Sequence, residues 1–306
     1  MNLKTLPLAK QISFTSAALV ALIVLSLVGI TAWSTFKAAT QRTERAVSTQ
    51  AEGLRQTMEI AYKLSENSAT QLADLFEKQF KGELVVDPSQ MISINAEVQG
   101  PLVTLNSSPV TGNFAIADNF TRVTGGVATV FVRTGDEYQR NTTSLKKENG
   151  DRAVGTKLDR NHPGYAKVIQ GETYVGEALL FGKRYMSKYL PIKSSDGKHD
   201  LILFIGFDMT QLFGDVQNAV LNTRIGETGV PYVLYTKGAA SNKVMIHPTL
   251  KGDEFKELAA SQPDLQTLLD TISKEDSGMT QVSWTDPATG EQHTEFVAFS
   301  KVPQWG

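Results

Sequence analysis

The sequence predicts an α+β protein with an N-terminal transmembrane helix, a long α-helix and two tandem antiparallel-sheet units. Three observations carry this reading. An uncharged apolar run lies near the N-terminus; the stretch from Thr35 to about Phe80 has no Pro and a single Gly, Gly53; and two similar successions of β-branched runs, punctuated by Gly, Pro and Asp, follow it. A chain of 306 residues corresponds to about two domains with room for sizeable cores. The absence of cysteine removes disulfides, thiolate metal sites and thiol nucleophiles. With 30 Lys plus Arg against 32 Asp plus Glu and a net charge of -2, no basic footprint for nucleic acid is expected. A hydrophobic content of 41% is that of a globular chain rather than a disordered one.

No charge interrupts the sequence between Lys10 and Lys37, and Ile12 to Trp33 is dominated by Ala, Val, Leu and Ile. As a helix, a run of about 26 residues rises about 39 Å, more than the roughly 30 Å of membrane hydrocarbon; mild tilt absorbs the excess. A cleaved signal peptide has an apolar region of about 7 to 15 residues and ends in a small-x-small site. Here the core is longer and ends at Trp33, an interfacial anchor type. The run therefore reads as an uncleaved span over 12–34, with 1–11 as a cytoplasmic N-terminus. Lys4 and Lys10 precede it, and Lys37, Arg42 and Arg45 follow it with Glu44, so flanking charge sets no clean orientation. Long domains translocate largely regardless of it, and residues from about 38 onward are placed outside.

The next segment, 35–80, reads as a long helix and dimer stalk. Val47, Ala51, Leu54, Met58, Ala61, Ser65, Ser68, Leu72 and Leu75 alternate in steps of four and three, the spacing of a coiled-coil stripe. Two readings stand side by side. The membrane-near half faces a second subunit or neighbouring helix, and the far half, with Leu72, Leu75 and Phe76, packs on its own sheet. Gly82 and Asp87-Pro88 end the helix.

A polar stretch from Val85 to about Thr124 leads into the first unit, 81–210, read as membrane-distal. Val127 to Val132 and Glu137 to Leu145 form a hairpin about Gly135-Asp136; a loop with His162-Pro163 and a short helix from Tyr165 to Gln170 follow. Strand-like runs then occupy Tyr174 to Phe181, Tyr185 to Ile192 and Leu201 to Phe207, the last two joined by Ser195-Asp196-Gly197, and Met209 to Asn222 reads as a connecting helix. The second unit, 211–306, membrane-proximal, repeats the order: Val230 to Tyr235 and Lys243 to Ile246, His247-Pro248, a helical run from Phe255 to Ile272, then strands at Met279 to Trp284 and Glu295 to Ser300. A sheet with one or two helices on one face has a PAS-like shape.

Catalytic patterns do not survive inspection. Ser144 and Lys147 match Ser-x-x-Lys, but Ser144 lies in a strand-like run and the partner motifs are missing. His162, His199, His247 and His293 are scattered, without metal-ligand spacing. His162 and His247 read as loop residues before Pro, and the other two as surface turn residues. Phosphate loops and nucleophile elbows are absent. No enzyme activity, metal or cofactor is expected. Polar crowding stands out instead: Arg133, Tyr138, Arg140, Thr142 and Thr143 on one hairpin, then Lys183, Arg184, Tyr185, Lys188 and Tyr189. By strand alternation Tyr138, Arg140 and Thr142 share one face, and Lys183, Tyr185 and Tyr189 another. The candidate ligand-binding set is therefore Arg133, Tyr138, Arg140, Thr142, Lys183, Tyr185 and Tyr189. Cationic and phenolic donors suit a carboxylate.

These residues carry a family resemblance. Val127-Ala-Thr-Val-Phe-Val-Arg133, Tyr138 with Arg140, Thr142 to Gly150, Arg152-Ala-Val-Gly-Thr156, His162-Pro163, Gly171 with Tyr174 and Gly176, Phe181-Gly-Lys183, Tyr185 and Pro191-Ile192 resemble the Cache 3/Cache 2 fusion domain. Ile225-Gly-Glu-Thr-Gly229 and Ile246-His-Pro248 are similar to its Cache 2 part, with a departure at Thr236 to Asn242 where a tighter Asp-Gly turn is expected. The resemblance implies a periplasmic sensor of a bacterial inner-membrane receptor, most often a methyl-accepting chemotaxis protein, sometimes a histidine kinase or cyclic-dinucleotide enzyme. Such receptors bind a small molecule in the membrane-distal unit, and relatives include citrate-type carboxylate sensors. It further implies a small-molecule ligand as partner and a cytoplasmic signalling region beyond Gly306, so that the chain reads as the input half of a longer receptor; a homodimer is expected because the seam of the long helix needs a partner. A membrane-anchored binding protein without signalling output is the rival expectation.

Overall fold

The computed structural model describes residues 7–198, 200–287 and 289–305. The chain forms two compact units, Thr57–Ala219 and a second made of Met1–Gln56 with Val220–Gly306. Helix α1 runs unbroken from Leu8 to Glu77, 70 residues, and ends in a 3-10 turn, Lys78–Phe80. It contains the apolar run, whose Leu22, Leu25, Ile30 and Trp33 side chains stand exposed, and it is long and apolar enough to cross a membrane.

Within the Thr57–Ala219 unit the inward face of α1 is Met58, Ala61, Ser65, Ala69, Ala73 and Phe76, all buried. The expected stripe is corrected at its far end, because Ser68 is only half-buried and Leu75 is 49% exposed. The cause is pitch. A helix lying on a sheet keeps 3.6 residues per turn, so a strict heptad drifts about 20° per repeat, and the buried seam passes to 69, 73 and 76 instead of 68, 72 and 75. In the other unit Val47, Ala51 and Leu54 are half-buried. There Ser48 reaches Met279 (3.9 Å) and Ser300 donates to Glu52 (3.5 Å), so the chain's own hairpin touches this part of α1.

After α1 come β1 (Leu84–Ser93), β2 (Gln99–Leu105) and β3 (Ser108–Pro109), a small antiparallel sheet, and α2 (Phe114–Thr124). None of these four elements was legible in the polar stretch. The main sheet follows: β4 (Val127–Thr134), β5 (Glu137–Thr143), α3 (Tyr165–Ile169), β6 (Tyr174–Leu180), β7 (Lys183–Ile192) and β8 (Leu201–Asp208). Its five strands lie in the order β5-β4-β8-β7-β6, all antiparallel. Phe181 and Gly182 close the β6–β7 hairpin with positive φ at both, 50° and 79°, as a two-residue turn of that twist requires. One face of the sheet packs Val130, Val132, Leu203 and Ile205 against Phe76 and Phe120. The other packs Phe131, Ile202, Phe204 and Tyr189 beneath Leu158 and Val168 of the β5–β6 connection.

Helix α4 (Thr210–Asn222) leads into β9 (Val233–Leu234), β10 (Val244–Ile246), α5 (Glu254–Ala260), α6 (Pro263–Lys274), β11 (Ser277–Thr285) and β12 (Gln292–Ser300). The single helix expected from Phe255 to Ile272 is two helices. Pro263 has no N–H to continue α5 and instead starts α6 as its first residue. The repeat of the first unit is also only partial, since β9–β10 and β11–β12 are separate two-stranded ladders. At the departure noted in the sequence, Gly238–Ala240 form a 3-10 turn and Asn242 takes φ 66°. The core here is Phe255, Leu265, Leu268, Leu269 and Val282.

Candidate functional site

The loop-covered face of the five-stranded sheet holds the one buried charged side chain among the described residues, Arg140, 4% exposed. Its position follows from a register shift. Phe131 pairs with Arg140 and Val130 with Thr142, so Asn141 is an extra residue on β5. A bulge of this kind resets the alternation of side chains. Tyr138 and Arg140 consequently point to the loop-covered face with Phe131, and Thr142 points to the opposite face with Val130. There its hydroxyl donates to the Val110 carbonyl at 2.6 Å. The shared face expected for Tyr138, Arg140 and Thr142 is thus corrected for Thr142.

The connection after β5 is laced onto that strand. Arg140 N–H donates to the Thr156 carbonyl (2.9 Å), Gly155 N–H to the Arg140 carbonyl (2.9 Å) and Leu158 N–H to the Tyr138 carbonyl (2.9 Å). Arg140 Nη1 donates to Thr156 Oγ1 at 2.8 Å, and its guanidinium lies 4.6 Å over the Phe131 ring. Its Nε–H is buried with no acceptor among the described residues. Burial lowers the Arg140 pKa to about 10, which leaves it charged at neutral pH.

Aromatic rings surround this cation. Tyr189 lies 4.8 Å from Phe204, 6.4 Å from Phe131, 6.3 Å from Tyr174 and 4.9 Å from the His162 ring. Burial pushes the Tyr189 hydroxyl up to about 12, the Arg140 charge acting against it. His162 also meets Tyr174 at 5.3 Å. Gly164 is needed here for space rather than for φ, since a Cβ on it would stand 2.4 Å from the Tyr174 ring. Tyr62 on α1 has its hydroxyl raised to about 12 by burial, with contributions from Glu66, Glu177 and Tyr174.

Of the seven candidate residues, the structure brings together Tyr138, Arg140 and Tyr189. Arg133 is exposed at the hairpin end, its Nε 3.4 Å from the Gly135 carbonyl. Lys183 is 61% exposed and 3.5 Å from Asp208. Six residues separate it from Tyr189, about 20 Å along an extended strand. Tyr185 is buried in a different cluster with Leu145 and Ala153. Lys188 is on the helix side, 3.1 Å from Asp74, and Arg184 is 3.3 Å from Glu177.

His162 was missed as a site residue. Its place before Pro163 points to a loop, which it occupies, but its ring turns into the aromatic cluster. His247 repeats the local motif, accepting from Thr249 N–H at 3.1 Å and standing 5.4 Å from Tyr232, with no buried arginine beside it among the described residues. His293 is corrected from a turn to β12, stacked on Trp284 at 4.9 Å; His199 lies outside the described residues. Ser144, the other half of the rejected nucleophile motif, accepts from Thr121 at 2.6 Å and from Ala128 N–H at 3.0 Å.

Comparison with solved structures finds weak overall likeness to sensory domains. The extracellular domain of the putative histidine kinase mmHK1S-Z2 aligns at 13% identity and TM-score 0.43, covering 88% of this chain and 94% of that one. The ligand-binding domain of the Campylobacter jejuni chemoreceptor Tlp3, in complex with L-valine, aligns at 11% identity and TM-score 0.41, covering 86% and 95%. The periplasmic sensory domain of Campylobacter jejuni Tlp1 gives 12%, TM-score 0.41, 86% and 96%. No curated protein matches the sequence. The family model of the Cache 3/Cache 2 fusion domain matches residues 32–306. Cache domains are sensory ligand-binding modules on the extracellular or periplasmic side of a membrane. Because the match takes in nearly all of the sequence beyond the apolar run, the chain belongs to the Cache 3/Cache 2 fusion domain family.

Proposed function

We propose that this chain is the ligand-sensing module of a transmembrane chemoreceptor, anchored in the inner membrane by the apolar part of α1, and that it takes a small carboxylate on the loop-covered face of the first unit. The observation that carries this reading is Arg140, a buried cation with no ion-pair partner among the described residues. A buried charge costs several kcal/mol unless it is paired, and an anionic ligand supplies the missing pair. Tyr138 and Tyr189 stand with it as apolar walls. Arg133, Thr142, Lys183 and Tyr185 fall outside the proposed set.

The module works by binding and relay, not by catalysis. Occupancy biases α1 through the sheet it packs on, where Phe76 meets Val130, Val132, Leu203 and Ile205, and α1 carries the change to the membrane. A ligand shifts such an equilibrium only by its differential affinity for the two states. A homodimer fits the outer face of α1, where Ile60, Leu64 and Leu75 are exposed at positions that share one stripe of a 3.6-residue helix. The receiver is a cytoplasmic signalling region.

The test is a thermal-shift screen of the full chain in detergent micelles against organic acids, amino acids and purines. A carboxylate at a hundredfold excess over its Kd adds about 2.7 kcal/mol, which raises Tm by about 5–10 °C for a chain of this size. Arg140→Ala abolishes that shift, and Lys183→Ala leaves it intact. A full shift in the Arg140→Ala chain overturns the assignment.

A further inference from the structure

The protonation pattern of His162 sharpens the ligand class, on the footing of the sensory reading above. His162 Nδ1 accepts the Gly164 backbone N–H at 3.1 Å. An imidazole nitrogen that accepts carries no proton, so in the neutral ring the proton sits on Nε2. That Nε2 is buried and has no partner among the described residues. Among the described residues the one other unpartnered buried side-chain nitrogen on this face is Arg140 Nε, also a donor. His162 lies 4.9 Å from the Tyr189 ring, and Arg140 lies over Phe131, itself 6.4 Å from Tyr189. The face therefore presents two open donors and one positive charge.

We infer that His162 is a ligand-holding residue of this site and that His162 Nε2–H and Arg140 Nε–H together grip one carboxylate group of a monoanionic ligand. Two acceptor oxygens match two donors, and one negative charge matches one guanidinium. Among the described residues this face holds no second buried cation: on the covering connection Arg160 is paired with Glu137, and Lys157 and Lys167 are exposed. Lys188 is paired with Asp74 on the helix side, Arg184 with Glu177, and Arg133 and Lys183 are exposed. The charges that act on His162 are Asp159, exposed on its own loop, and Arg140 on β5. Phe131, Tyr174, Tyr189 and Phe204 supply an apolar wall, so the rest of the ligand is uncharged and apolar or planar. Citrate-type polyanions, which the family resemblance admits, would find no second buried cation here.

The test uses the full chain in detergent micelles and calorimetric titration with acetate, propionate and benzoate, their primary amides, citrate and inorganic phosphate. The expected result is binding by at least one monocarboxylate, with its amide, citrate and phosphate each at least tenfold weaker. His162→Asn, whose side-chain oxygen can still accept from Gly164, weakens that carboxylate at least tenfold. His162→Gln, whose amide N–H can stand in for Nε2–H, keeps affinity within about threefold. Nitrogen-15 spectra of histidine-labelled ligand-free chain show His162 protonated on Nε2. Tighter binding by an amide, citrate or phosphate, undiminished binding in His162→Asn, or a proton on Nδ1 overturns the inference and leaves the sensory reading standing. If no probe here binds, the inference falls. If the wider panel of amino acids and purines is also silent, the sensory reading falls with it.

Discussion

A guanidinium withdrawn from water keeps its charge only if something nearby replaces hydration. Arg140 has one hydroxyl and one ring face, so much of the desolvation cost stands until an anion arrives. His162 is its complement, a ring held neutral. Burial lowers its pKa below the ordinary 6.5, the Arg140 charge adds to this, and Asp159 opposes it; the Tyr174 and Tyr189 rings that also face it are un-ionised at neutral pH. A group with a lowered folded-state pKa contributes stability that is complete above its unfolded value and is lost as pH falls through the folded one. Protonation also takes away the acceptor used by Gly164. Urea melts between pH 7.5 and 5 therefore show a steeper loss of stability in the wild-type chain than in His162→Asn, the difference opening below about pH 6.5; parallel profiles contradict this. At this scale three residues of the proposed site were legible from residue type and spacing. Thr142 was misplaced because alternation was carried through a bulge that no residue type announces, and Lys183 because parity says nothing of distance along a strand. His162 was hidden because the bond that turns it inward comes from folding, not from local sequence.

Among the elements, α1 carries two kinds of apolar residue. Phe76 is 0% exposed and meets Phe80 at 5.1 Å and Phe120 at 5.0 Å in edge-to-face contacts. Phe76→Ala is expected to cost about 3–5 kcal/mol, whereas Leu75→Ala, one position earlier but on the outer face, changes chemical unfolding by less than about 0.5 kcal/mol at concentrations where the chain is monomeric. Equal losses would place the seam wrongly. The strands of the main sheet were readable because β-branched and aromatic runs alternate with Gly and Asp turns. The small sheet was not, since β1 contains Asp87-Pro88 with a register shift between Asp87 and Met91, which removes alternation. The break at Pro263 was available in the sequence; the apolar period resumes after it with so little phase change that it masked the stop.

For the whole molecule, the two units have separate cores, Phe76, Phe131 and Phe204 in one and Phe255, Leu265 and Leu268 in the other. Leu268 is 1% exposed, and Leu268→Ala is expected to cost about 2–5 kcal/mol. Limited proteolysis of that variant cuts faster within 220–305, while the affinity of the first unit for its carboxylate stays within about twofold. A tenfold loss of affinity would show that ligand binding draws on the second core. The long apolar helix and the two units with antiparallel sheets were readable from charge gaps and repeated turn patterns. The unequal sheets were not, because strand pairing is set by partners remote in sequence.

The extra residue at Asn141 gives β5 something like a reading frame. Before it, Tyr138 and Arg140 are read toward the loop-covered face; after it, Thr142 is read toward the opposite one. A frame can be lost by a change of count as well as of kind. Removing Asn141 would leave every functional letter of the strand in place and turn Tyr138 and Arg140 to the wrong side. This strand therefore tolerates conservative substitutions more readily than a one-residue deletion, and the site's chemistry depends on length as much as on identity.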